Sequence, residues 1–445
     1  MTIHLSILVF LTAGRGPGGS FPARAARALA GGGRHGGGAR LRGGRALLHF
    51  DSAKAGQQAV TDQNWISELG IRYHLGLDGL NLFMVVMTAL LWVPSAIWGA
   101  VRTSERPRLF MFHLALAETA VLGAFCAQDL ALFVVFFDLM LVPFYFLIGG
   151  WGQGDRVRAT TKFVIFTLVG SLLMLAGAVA LGVLSTPDGG SISFSFADLQ
   201  QNTLATGTQE WIFLLFAIAF VVKAPLFPFH GWVVDTYRAT PTPVLVLLSA
   251  RAGSKVGVYG FLRIVLPILP DAAQHFQDLM LALAAFSILY GSVLAFSQAE
   301  PRLVVAYSSI AQLGFITLGI FSLDDKGAQG ALMQMVNHAL VTAALFFIIA
   351  ALTARAGGSP TLVRMGAWPA GGPCWPPCSW WWRWPPWPCP ARPTSSGEIL
   401  ILFGTLRGQA RLRPGGHRGR GARRGLHDPR VPALHAQPRR AGRAP

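Results

Sequence analysis

Apolar residues in this chain come in long runs rather than at the spacing of a single helix face. Nine runs of about 20 residues, bounded by charges, Gly or Pro, lie near 80–101, 109–127, 130–149, 162–184, 211–231, 241–267, 277–297, 303–323 and 329–353, each long enough to cross roughly 30 Å of hydrocarbon. The pattern predicts an all-α polytopic membrane protein. Connections between runs are mostly short, so neighbouring helices are expected to be antiparallel.

Charge placement orients this map. With nine spans the loops alternate between sides, and one set carries Arg102, Arg106, Arg108, Arg156, Arg158, Lys162, Arg238, Arg302, Arg355 and Arg364. The opposite set, 51–79, 128–129, 185–210, 268–276 and 324–328, carries only Lys54, Arg72 and Lys326. That bias makes the loop at 102–108 cytoplasmic. With two helices' worth of chain before residue 80, it puts the N-terminus outside, in a bacterial inner membrane.

Composition agrees with the class and then raises a contradiction. A chain of 445 residues with 52% hydrophobic and only 13% charged residues is no soluble multidomain protein, yet its formal net charge is +17. The excess is terminal: residues 1–50 hold seven arginines and no acid, residues 366–445 hold thirteen arginines against one Asp and one Glu, and residues 51–365 sum to −1. All five lysines are central, and seven of 13 tryptophans crowd into 368–387. An Arg/Gly-rich tail can bind nucleic acid or an anionic surface. The reading preferred here is that a GC-rich gene is being read out of frame, because MTIHLSILVFL begins like a spanning helix and stops, while GEILILFGTL reappears as an apolar island. The chain then divides into an aberrant segment 1–50, a membrane domain 51–365, and an aberrant segment 366–445 with an island at 393–406. No nucleic-acid partner is expected. Cys126 stands alone, and Cys374, Cys378 and Cys389 lack a histidine at finger spacing, so no metal site is expected.

The informative residues are ionisable groups at membrane depth, each costing at least about 2.5 kcal/mol unless paired or hydrated. Asp138, Lys223, Lys255 and Glu118 all fall inside apolar runs, accompanied by His230 and His338. The plain alternative for each is a buried polar residue that ties helices together. It is weakest for lysine, whose ammonium needs a counter-charge or water. Pro225 and Pro228 follow Lys223 closely and each removes a helix N–H, so the helix should break just after the lysine. Broken helices at mid-membrane are a transporter device. Lys255 lies among Gly253, Gly257 and Gly260, which let helices approach and leave space for water. A carboxylate beside a buried lysine holds the proton on it, and withdrawing the carboxylate lets desolvation expel the proton. Two lysines and a central carboxylate therefore point to a proton or cation path, working against about 2.3 kcal/mol per charge per 100 mV. Such a path supplies no chemistry, so its energy must come from a partner or an opposing ion.

FFDLMLVPFYFLIGGWG, FVVKAPLFPFHGWVVDTY, GSKVGVYGFLR, EPRLVVAYSSIAQLGFITLGIF and QMVNHALVTAALFF together resemble, in that order, the motifs of the antiporter-like M subunits of proton-pumping NADH:quinone oxidoreductase, respiratory complex I. The resemblance covers about residues 64–365. It implies a fourteen-helix bundle of two inverted five-helix repeats, each with a broken helix. It also implies roles: Asp138 as the carboxylate modulating Lys223, Lys223 as the pump lysine, Lys255 as the connecting lysine, Glu398 as the acidic exit residue of the second broken helix, and His230 and His338 on the central polar axis. The family has glutamate where this chain has Asp138, one methylene shorter. Helices one and two, and everything after about 366 except 393–406, depart from the pattern.

The function implied is a proton-translocating subunit of an oxidoreductase, in the lipid bilayer beside other antiporter-like subunits. NADH, FMN, iron–sulfur clusters and quinone would belong to partner subunits, with no cofactor on this chain. A subunit of a Mrp-type cation/proton antiporter or of a membrane-bound hydrogenase is the alternative. A non-functional frameshifted product and a membrane anchor with a nucleic-acid-binding tail are further readings.

Overall fold

The computed structural model describes residues 56–103, 105–187, 190–201, 204–249, 254–361 and 397–406. The expectations for residues 1–50, 366–396 and 407–445 lie outside these. A hairpin comes first, β1 (Gln58–Ile66) antiparallel to β2 (Ile71–Leu77). Helices α1 (Leu82–Arg102), α2 (Pro107–Cys126), α3 (Leu130–Leu139), α4 (Leu141–Trp151) and α5 (Arg156–Leu184) follow. After the short α6 (Phe196–Gln201) come α7 (Thr206–Lys223), α8 (Gly231–Ala239), α9 (Thr242–Leu247), α10 (Ser254–Gly260) and α11 (Pro270–His275). The long α12 (Gln277–Phe296), α13 (Pro301–Ile320) and α14 (Asp325–Arg355) complete the bundle, and α15 (Gly397–Leu406) packs against it.

Local chemistry sets several of these starts. Asp129, Asp155 and Asp324 cap α3, α5 and α14 by accepting from Leu132, Arg158 and Lys326 backbone N–H at 3.0, 3.4 and 3.2 Å. Pro107 and Pro301 occupy first-turn positions of α2 and α13, where no helical N–H is needed.

Among the described residues eight helices are long and apolar enough to cross a membrane, with α3 and α4 running on as one 22-residue span. The ninth expected span, 241–267, includes residues 250–253, which lie outside the described residues. Helix α9 covers Thr242–Leu247, α10 begins at Ser254, and a π-turn at Phe261–Val265 follows. The π-turn was not expected from the apolar composition. The hairpin and α6 were likewise expected only as loop.

The distribution of side chains is that of a multi-pass membrane protein. Phe286, Leu289, Val293 and Phe296 on α12 are 51%, 67%, 68% and 94% exposed, while Lys255 and Gln334 are 0% exposed. Apolar groups outward and polar groups inward is the arrangement a lipid environment permits. The basic connections meet at one end of the bundle: Gln153 N–H donates to the Ala239 carbonyl at 2.8 Å, Trp151 Nε1 to Glu105 at 2.7 Å, and Arg302 to Thr240 at 3.3 Å. The hairpin lies at the other end, where Leu130 N–H donates to Phe194 at 2.7 Å and Gln128 N–H to His74 at 2.9 Å.

Candidate functional site

Lys223 is the last residue of α7 and is 3% exposed. The helix breaks there as the prolines require. The carbonyls left over are taken up locally: Val221 accepts from Leu226 N–H at 3.1 Å and Val222 from the Trp232 indole at 3.0 Å. Across the break, Phe227 N–H donates to Ser287 Oγ at 3.0 Å. The Lys223 ammonium lies 4.4 Å over the Phe137 ring, an arrangement in which the aromatic face replaces part of its lost hydration.

Asp138 is the next residue along α3, half-buried, and faces Lys223 and Ser171. Among the described residues it forms no ion pair within 4.0 Å with Lys223, and its Oδ1 is buried without a hydrogen-bond partner. Carboxylate and ammonium are thus brought to the same place without being locked together.

Lys255 is engaged more tightly. Its Nζ donates to the Ser249 carbonyl at 2.8 Å and lies 2.8 Å from His338 Nδ1. With an ammonium donating to Nδ1, the imidazole carries its proton on Nε2, which lies 3.2 Å from Ser309 Oγ. Gly257 makes the approach of α10 to α7 possible, since a methyl there would stand 2.8 Å from the Phe220 carbonyl oxygen.

Glu398, in the first turn of α15, accepts from Gln312 Nε2 at 3.0 Å, and Gln312 Oε1 accepts from Gln334 Nε2. Gln312 lies three residues beyond Ser309 on α13, and Gln334 four before His338 on α14, so both fall on the helix faces that carry the Lys255 contacts. Glu118 is buried at 4% exposure on α2. His230 turns elsewhere: it stacks on Phe227 and its Nε2 meets Tyr290 Oη of α12 at 3.1 Å. Pro225 is buried and Pro228 exposed.

Sequence reasoning passed over Phe137, Ser249, Ser309, Gln312 and Gln334, because it searched for formal charge and none of these carries one. It also passed over Arg263, an arginine inside an apolar run. Arg263 donates to Asp78 Oδ2 at 2.6 Å and to Gln128, and lies 5.4 Å over Phe196. It fastens the π-turn to the hairpin end of the bundle. There Asp129, outside the spans, accepts from Arg72 N–H at 3.3 Å. Burial pushes its carboxyl from 3.8 up to about 6, against the lowering effect of the backbone N–H groups of Leu132, Arg72 and Ala131.

The pattern of the family described as "NADH:quinone oxidoreductase/Mrp antiporter, TM" matches residues 127–376, from the cap of α3 to beyond α14. The chain belongs to this family. Within this antiporter family, it is 37% identical over 316 residues to NADH-quinone oxidoreductase subunit M of Rhodobacter capsulatus, covering 69% of this chain and 61% of that protein. The subunit M of Pseudomonas aeruginosa is 36% identical over 350 residues, covering 77% of this chain and 68% of its own length. The chain therefore spans less than two thirds of the Rhodobacter relative. Among solved structures, a chain of respiratory complex I from Thermus thermophilus superposes with a TM-score of 0.76 at 28% identity, covering 93% of this chain and 84% of that one.

Proposed function

We propose that this chain is a proton-translocating membrane subunit of NADH:quinone oxidoreductase, in which protons move between Asp138, Lys223, Lys255, His338 and Glu398 while quinone reduction in partner subunits supplies the energy. The observation that carries the reading is the polar line through an apolar bundle. Lys223 ends a broken helix, Lys255 touches His338, and polar positions on α13 and α14 continue toward Glu398. NADH, FMN, iron–sulfur and quinone chemistry falls to the partners, and this chain supplies sites that take up and release protons. The loose placement of Asp138 against Lys223 suits a gate: a pair that can separate changes how firmly the lysine holds its proton, whereas a locked ion pair holds it permanently. The N-terminus is placed outside, and the segments 1–50 and 366–445, apart from the island, are read as products of lost reading frame.

Purification of the tagged chain from its native membrane tests the assignment. Co-purification of NADH-dependent quinone reduction is the expected result; co-purification with Na⁺/H⁺ exchange and no quinone reduction would replace it with the Mrp-type reading.

A further inference from the structure

A carboxyl group that cycles between charged and neutral forms inside a membrane has a particular need. Its anion must be offered a donor and its acid an acceptor, since an unpaired buried polar group is costly in either state. Lysine or arginine meets only the first need, because neither can accept. A primary amide meets both by turning over, and the terminal torsion of glutamine is broad and roughly two-fold.

Glu398 has this kind of partner. Gln312 Nε2 donates to its Oε1 at 3.0 Å, and behind it Gln334 Nε2 donates to Gln312 Oε1. Both hydrogen bonds in this short chain run toward the carboxylate, the orientation suited to charged Glu398. Gln334 is 0% exposed and its Oε1 is buried with no partner. That oxygen faces the start of α15, where a methyl on Gly397 would stand 2.6 Å from it. A helix N-terminus is where an unpaired acceptor is best tolerated.

We propose that Gln312 and Gln334 are positioning residues that form an amide switch, reversing together when Glu398 takes up a proton. The protonated carboxyl donates its O–H to Gln312 Oε1. Gln312 then turns its Nε2 to Gln334, which presents the oxygen that had been unpaired. The hydrogen-bond count within the trio is the same in both states, and the proton stays on Glu398 throughout. The side of Gln334 that faces Gly397 changes from acceptor to donor, so the charge of Glu398 is signalled to the start of its own helix. This rests on the reading of Glu398 as a member of the relay.

Protonation-difference infrared spectroscopy on the reconstituted complex containing this chain tests the switch. In the unmodified complex, acidification should produce a carboxyl band together with side-chain amide bands, and both should vanish in Glu398→Gln. Gln334→Met should keep the carboxyl band and lose part of the amide signal. Gln312→Lys, a donor only, should suppress the carboxyl band. Native gel electrophoresis of each preparation confirms that the complex is assembled. A Glu398 carboxyl band with no amide component sensitive to either glutamine overturns the proposal, as does an unchanged band in Gln312→Lys or the absence of any Glu398 band. Pumping measured on the same preparations separates the two readings. A complex that shows the amide signal but does not pump removes the relay and leaves the switch; one that pumps without a Glu398 signal does the reverse.

Discussion

Asp138 and Lys223 share one buried locality without closing into an ion pair, and the extra methylene of glutamate would extend the carboxylate's reach toward the ammonium. Asp138→Glu is therefore expected to pump as well as the parent or better, read as proton uptake per NADH oxidised in inverted vesicles; a severe loss would show that the shorter side chain is matched to its surroundings. Asp129 makes a separate prediction outside the spans. Because burial raises its folded value from 3.8 to about 6, the carboxyl holds a proton more firmly folded than unfolded. Its contribution thus favours the fold at acid pH and is lost as pH rises through that interval. Asp129→Asn keeps the capping oxygen without the charge, and should leave thermal stability unchanged at acid pH and equal or higher at neutral pH. Asp129→Ala loses the cap of α3 and should cost about 1 kcal/mol, measured as the denaturation midpoint of the solubilised complex. The residues legible in the sequence were mainly ionisable groups in apolar runs, Arg263 excepted. Gln312 and Gln334 were hidden because an amide carries no formal charge, although the four-residue interval from Gln334 to His338 would have placed both on one helix face.

The helix break after Lys223 was visible for a related reason. Pro225 announces the break after Lys223, since a proline cannot donate to the preceding turn. Around Lys255 there was no such sign in the sequence: Ser254 Oγ and Lys255 Nζ donate to the Ser249 carbonyl at 3.0 and 2.8 Å, contacts that exist only once the chain has folded. The hairpin β1–β2 was missed because its polar strands read as loop. Arg263 and Asp78 join that end of the bundle to the π-turn, and their side chains are 16% and 15% exposed. Arg263→Gln leaves Asp78 shielded and unpaired, so a loss of about 3 kcal/mol is expected. Thermal inactivation of the solubilised complex checks it, and an unchanged midpoint would show that the pair is not what anchors the hairpin end.

Over the whole chain, a formal charge of +17 conceals a near-neutral bundle, residues 51–365 summing to −1. The bundle was legible because lipid demands long apolar runs, and the gathering of basic connections at one end because they alternate with poorly charged ones along the chain. Helix α15 shows that the apolar island belongs to the same packing: a methyl on Gly404 would stand 2.4 Å from the Gly327 nitrogen, a closeness suited to a native helix contact. The reading-frame proposal can be checked on the nucleotide sequence around codons 12, 366 and 407, where a frame change should restore apolar helices; if none does, the proposal fails. The central claim is that Lys223 carries the translocated proton. Its most direct test is Lys223→Ala in the assembled complex, with proton translocation and NADH-dependent quinone reduction measured on the same vesicles. The account predicts an assembled complex that has lost pumping, and full pumping by that variant would contradict it.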